Sequence, residues 1–133
     1  MRSKQCLTST EIATLAAACR AEAEKIGISV TVAVVDDGAH LLYLERFNGA
    51  KVMSIEIATQ KARTSAISHR PTATFQERLQ TSISFLVVPG ILPLQGGLPI
   101  LAGSDCLGGV GVSGGSGEQD EQIAAAGIAA LKL

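Results

Sequence analysis

GGLPILAGSDCLGGVGVSGGSGEQDEQIAAAGIAA, residues 96–130, is the stretch around which the chain is organised. It reads as a strand, a tight turn, a glycine-rich strand, a glycine-rich loop and a helix. Ten of the fourteen glycines lie between Gly90 and Gly117. A glycine inside regular structure costs roughly 0.5–1 kcal/mol relative to alanine. A run of them therefore needs a compensating reason, and close backbone approach by a neighbouring element or by a ligand supplies one. Strands are predicted over 98–102 and 106–113, joined at Gly103-Ser104-Asp105, a hairpin signal. A helix is predicted over 118–131. Glu118, Asp120 and Glu121 fall near its start, where the helix dipole favours acids, and Ile123, Ala126, Gly127, Ala130 and Leu131 form its buried stripe.

Upstream, Thr8-Ser9-Thr10-Glu11 is a capping box. Ile12, Leu15, Ala16, Cys19, Ala23 and Ile26 follow at helical spacing, and Gly27 suits a left-handed helix end; the helix is predicted over 8–26. Residues 28–36 are apolar or small at both alternating sets, the pattern of a strand covered on both faces. Asp36-Asp37-Gly38 signals a hairpin. The returning strand, 39–46, places His40, Leu42 and Leu44 on one face. A second helix is predicted over 54–68 with Ser54 as its cap. Its stripe of Ile55, Ala58, Ala62 and Ala66 is narrow enough to sit close to a sheet. Pro71 ends it, and 72–80 forms a short third helix. Pro89, Gly90 and Pro93 break 81–95 into pieces, with a short strand allowed near 91–94. The whole is one α/β domain, 1–133, with an antiparallel sheet between helices.

Charge and composition remove several functions. The net charge is −1 and aromatics are 3% of residues. That excludes a strongly basic nucleic-acid binder and leaves little for base stacking. No run approaches a membrane span and no export signal is evident, so no membrane partner and a cytoplasmic location are expected. The three cysteines, Cys6, Cys19 and Cys106, form neither a disulfide framework nor a zinc motif, and no metal site is expected.

The motifs are individually weak. Gly109-x-Gly111-x-x-Gly114 matches a dinucleotide fingerprint, but no second parallel strand follows and acids crowd the helix start. Ser113 lacks the G-x-S-x-G frame of a nucleophile elbow. Lys61 lies beside the alanine stripe, where it either snorkels or reaches an anion in a pocket. Asp36 belongs to a turn and Glu118 to a helix start, and either also serves as an acid or base. His40 and His69 are the two histidines; His69 sits at a helix end.

Taken together the motifs resemble the GlcG/HbpS-like family, which includes the C-terminal domain of PduO-type proteins. The residues that carry the likeness are Val34-Val35-Asp36-x-Gly38-x-His40-Leu41, Arg46-x-Asn48-Gly49-Ala50, Ser54-Ile55-x-Ile57-Ala58-x-x-Lys61-Ala62-Arg63-Thr64, Gly96-Gly97-Leu98-Pro99-Ile100, Gly108-x-Val110-Gly111-Val112-Ser113-Gly114 and Glu118-Gln119-Asp120. They run in order over nearly the whole chain. Asn48 stands where the family usually has Asp.

The resemblance implies a five-stranded antiparallel sheet flanked by helices in a profilin-like three-layer α/β/α arrangement. It implies a homo-oligomer, a dimer or larger. It also implies, for some members, haem or corrinoid-related binding or association with glycolate, glycerol or diol catabolism. The expected function is small-ligand binding, with Gly96, Gly97, Pro99, Ser113, Gly114 and Lys61 as ligand-binding candidates. Haem is a candidate cofactor with His40 as its axial donor. The alternative is an enzyme on a small polar substrate working through Lys61, Asp36 or Glu118.

Overall fold

In the computed structural model, which describes residues 1–133, helix α1 (Ser9–Ile26) begins at the expected capping box. The Glu11 carboxylate accepts the Thr8 backbone N–H at 2.8 Å and the Thr8 hydroxyl. Gly27, at φ 86°, ends the helix in the left-handed region and donates its N–H to the Ala23 carbonyl. Strands β1 (Thr31–Asp36) and β2 (Leu41–Arg46) form the first hairpin, and helices α2 (Ser54–Ser68) and α3 (Thr72–Arg78) follow. A 3₁₀ turn at Ile83–Leu86 precedes strands β3 (Gly97–Ala102) and β4 (Asp105–Ser113), and α4 (Gly117–Ala129) closes the chain.

The sheet has the order β2-β1-β4-β3, with every neighbouring pair antiparallel. It has four strands, not the five expected. The segment 91–94 does not join it, because its backbone groups are held elsewhere: Leu92 donates its N–H to the Thr64 hydroxyl on α2 at 2.9 Å. The same hydroxyl lies 3.2 Å from the Gly90 carbonyl. Pro93 has no N–H to give a ladder. The segment is thus strapped to α2 and leaves β3 as the sheet edge.

Smaller corrections concern element ends. β1 starts at Thr31 rather than 28, and β2 at Leu41 rather than 39. His40 therefore belongs to the turn, where its carbonyl accepts the Asp36 N–H at 2.9 Å. The left-handed residue of that turn is Ala39, at φ 66°, and not Gly38. Ser54 is the first residue of α2 rather than its cap. Its hydroxyl donates to the Lys51 carbonyl at 2.6 Å. α3 stops at Arg78, short of 80.

Two cores flank the sheet. On one face Leu15, Cys19 and Ala23 of α1 and Ile123 and Ala124 of α4 pack on Val32, Val34, Val110 and Val112. On the other, Ala58, Ala62 and Ala66 of α2 pack on Ala33 and Val35. The second core is thin because β4 presents glycines there. A Cβ at Gly111 would collide with the Ala58 carbonyl, and one at Gly109 with the Ala62 carbonyl. The helix backbone rests almost directly on the strand. No helix is long and apolar enough to cross a membrane.

Candidate functional site

Along β4 the residues facing α2 are Gly109, Gly111 and then Ser113, paired across the ladder with Val35, Ala33 and Thr31. α2 covers the glycines and begins near Ser113, at Ser54. Beyond that point the end of the sheet is open. A cleft of about 430 Å³ lies there, walled by Ile28, Met53, Ile57 and the 113–115 backbone, with Lys51 among its lining residues. A narrower lobe of about 230 Å³ shares Ile57, Ser113 and Gly115 with it and continues to Lys61, Gln95 and Asp120.

Lys61 and Asp120 form the floor of the narrow lobe. Their side chains are 4% and 3% exposed, and Nζ lies 3.1 Å from Oδ2. Nζ also donates to the Val112 carbonyl at 2.8 Å, while Asp120 Oδ1 accepts the Gly115 N–H at 2.8 Å. Both carboxylate oxygens are thus engaged. An ammonium has three protons; two are used within the chain and one remains. Burial pulls the Lys61 pKa below the ordinary lysine value, against the opposing pull of Asp120. Ser113 is 7% exposed, and its hydroxyl makes no hydrogen bond within the chain. Thr31 differs: its hydroxyl is 2.7 Å from that of Ser54, so it has a partner.

The other expected site residues lie in different places. Gly96, at φ 131°, makes room for the ion pair: a Cβ there would stand 2.6 Å from Lys61 Nζ and 2.9 Å from Asp120 Cβ. Gly97 donates its N–H to the Thr72 hydroxyl at 2.9 Å and faces the Lys61 backbone. Pro99 pairs with Gly109 on the edge strand, away from the cleft. Gly114 lines the wide lobe at φ 155°. Glu118 is exposed at the start of α4 and lines neither lobe.

Asp36 and His40 stand at the opposite end of β1. Five residues of strand separate Asp36 from Thr31, roughly 16 Å at 3.3 Å per residue. Asp36 Oδ1 accepts the N–H groups of Gly38 and His40 at 2.9 and 2.8 Å. His40 Nδ1 lies 3.2 Å from the same oxygen, and the ring is 81% exposed. Burial pushes the Asp36 pKa up, but the two backbone N–H groups and the imidazole overcome it and hold the carboxyl below the usual range. The three candidate acids and bases, Asp36, Lys61 and Glu118, therefore share no site.

Asp120 is the residue that sequence reasoning passed over as a site partner. Its place at a helix start was reason enough for an acid. A signal existed nonetheless: 120, 123, 124 and 127 are the buried positions of α4, a stripe that 118 and 121 miss. A lysine on a buried alanine stripe also requires a counter-charge.

Comparison with known proteins gives a consistent family. Residues 7–129 match the family model "Haem degrading protein HbpS-like". Protein GlcG of Escherichia coli K12 is 37% identical over 114 residues, 85% of each chain. The crystal structure of HbpS superposes with a TM-score of 0.90 at 38% identity, covering 97% of this chain and 92% of that one. The crystal structure of a PduOC–haem complex gives 0.87 at 27% identity, covering 95% of each.

Proposed function

The chain belongs to the HbpS-like family, and on that premise we propose that it is a small-ligand-binding protein whose ligand sits in the cleft at the end of β4. The observation that carries this is Ser113, a residue 7% exposed whose hydroxyl has no partner in the chain and opens on a wall common to both lobes. The buried side-chain oxygen that lacks a partner is Ser65 Oγ on α2; that of Ser113 is reached from the cleft and is free for a ligand. A hydroxyl kept free beside a free ammonium proton and three apolar side chains has the chemistry of a ligand site. Of the sequence candidates, Lys61, Ser113 and Gly114 serve there by direct contact. Gly96 and Gly97 serve by letting Lys61 pack, and Pro99 has no part.

Haem is the first ligand to test. Its support is the family description and the haem complex of the PduOC relative. The cleft offers no His, Cys or Tyr, and Met53 is its one thioether. His40 lies at the other end of β1, so haem held there would occupy a second site outside the cleft; it fits an axial role better in one respect, because its carboxylate-held ring leaves Nε2 free, the arrangement common among metal-bound histidines. Exposed Leu41 and Leu42 lie beside it, while the second wall of a haem slot would have to come from another copy. Bound there, haem would bring iron redox chemistry; the chain would hold the ring orientation through Asp36. The corrinoid and catabolic associations stay part of this proposal, as does the cytoplasmic location, which three unpaired thiols support. The enzyme alternative reduces to Lys61 with Asp120, because Asp36 and Glu118 are elsewhere.

Two measurements test the reading. In an untargeted ligand screen followed by amide NMR, hits should move the Ser113, Gly114 and Gly115 resonances; hits confined to other surfaces would displace the site. In a hemin titration, a sharp Soret band that His40→Ala abolishes would support His40, and a spectrum like that of free hemin would remove haem.

A further inference from the structure

We propose that the Lys61–Ser113 wall of the cleft recognises the carboxylate of an organic acid, with the acid's apolar part in the wide lobe; this rests on the reading of the cleft as the ligand site. The groups facing the narrow lobe decide the sign of the ligand. Lys51 and Lys61 are the cations lining the two lobes and Asp120 is the one acid. Both Asp120 oxygens are already occupied, by Lys61 Nζ and by the Gly115 N–H. The charge of Asp120 is thus matched by Lys61, and a cation in the lobe would have to compete with that ammonium for it. The free charged group is a donor, the remaining Lys61 proton, and the Ser113 hydroxyl and the Gln76 amide can donate beside it; the free acceptors, the Ser113 oxygen and Gln95 Oε1, are neutral. Lys51 adds charge at the mouth.

A cationic ligand would meet Lys51 and Lys61 and have to compete with Lys61 for Asp120, and it would leave the third Lys61 proton without an acceptor. An anionic ligand completes the Lys61 shell and satisfies the Ser113 hydroxyl in one step. Asp120 is then a positioning residue, holding Nζ at the lobe and the 113–115 turn against α4. The narrow lobe, about 230 Å³, suits a carboxylate head. The wide lobe, about 430 Å³ and walled by Ile28, Met53 and Ile57, suits an aliphatic or ring body. The same chemistry arises from a free short-chain acid or from the propionates of a tetrapyrrole, and the experiment separates the two.

The full chain is titrated with the straight-chain carboxylates from acetate to hexanoate and with their amides, followed by the amide resonances of 113–115. In parallel it is titrated with hemin and with hemin dimethyl ester, followed by the Soret band. Ser113→Ala should weaken acid binding roughly tenfold, the worth of one hydrogen bond to a charged acceptor. Ser113→Asp should abolish it while leaving the far-ultraviolet circular dichroism unchanged. Lys61→Met is the direct test of the ammonium, and the two Ser113 variants stand if that one fails to fold.

Acids that saturate where their amides do not, with loss in Ser113→Asp, support a free organic acid. Hemin that binds where its dimethyl ester does not, again lost in Ser113→Asp, supports a propionate. Acids binding like their amides and hemin like its ester, in wild type and Ser113→Asp alike, would overturn the carboxylate inference and leave the cleft as a site for another ligand. If no probe moves the 113–115 resonances, both the inference and the proposed place of the site fall.

Discussion

Lys61 and Asp120 are 59 residues apart in the chain and 3.1 Å apart in space, and the consequence at the residue scale is a large asymmetry between making and breaking the pair. Both are almost wholly buried. Removing one charge leaves the other without compensation, which typically costs 3–5 kcal/mol. Asp120→Ala should therefore lower stability by about that amount in urea titrations. An unchanged midpoint would mean that Lys61 finds water instead. His40 gives the opposite expectation. Its ring is 81% exposed, so His40→Ala should change stability by no more than about 0.5 kcal/mol, and any loss of hemin binding in that variant can be read as ligation. A melting temperature several degrees lower would show the ring to be a packed structural group.

At the scale of elements, the seat of α2 on β4 depends on missing side chains. Gly111 has backbone of Ala58 where a Cβ would go, and backbone yields little. Gly111→Ala should cost at least 1–3 kcal/mol, the usual range for overpacking. Gly103 is the internal control. It sits in the β3–β4 turn at φ 62° with nothing within 4 Å of where a Cβ would stand, so Gly103→Ala carries only left-handed strain, about 1 kcal/mol. Denaturation curves of the two variants should rank in that order; equal losses would mean that α2 shifts freely. The glycine-rich character of β4 was legible in the sequence, and so was the alanine stripe of α2. That the two meet each other, with the cleft beginning where the glycines give way to Ser113, was not. Which face of a strand a helix covers depends on register, and register is a property of the assembled sheet.

The whole molecule adds two expectations. Four carboxyls are held below their ordinary range: Glu11 by the Thr8 hydroxyl and backbone N–H, Asp36 by backbone N–H groups that outweigh burial, Asp37 by the Lys4 ammonium and Glu45 by the Tyr43 hydroxyl. Each is charged more readily in the folded state than in the unfolded one. Their stabilisation is present above the unfolded pKa, about 4, and is lost as pH falls through the lower folded values. Melting temperatures should be level down to about pH 5 and drop below about pH 4. A decline beginning near neutrality would point to other groups. The second expectation concerns assembly. From Leu79 to Ser104 no residue carries a charge, and Ile83, Leu86, Val87, Val88 and Leu94 are exposed within that span. Surfaces of this kind mark interaction sites, and a homo-oligomer is the proposed way of covering this one. Light scattering at micromolar concentration should give a multiple of the 13.7 kDa chain mass; a single chain mass would remove the proposal.

The amino-acid sequence alone determined the element order, the helix limits at Thr8, Gly27 and Pro71, and the two hairpins. Those features depend on capping, turn chemistry and periodicity, which act over a few residues. It also carried enough in-order motifs to point to the family. Only the tertiary structure decided that 91–94 straps to Thr64 instead of adding a fifth strand, because a broken apolar segment takes whichever hydrogen-bond partner the fold brings near. Only the tertiary structure separated Asp36 and His40 from Lys61, by setting them at opposite ends of one strand. And only there did Asp120 become the partner of Lys61. An ion pair closed over 59 residues leaves no periodic trace; it exists because two helices reach the same end of the sheet.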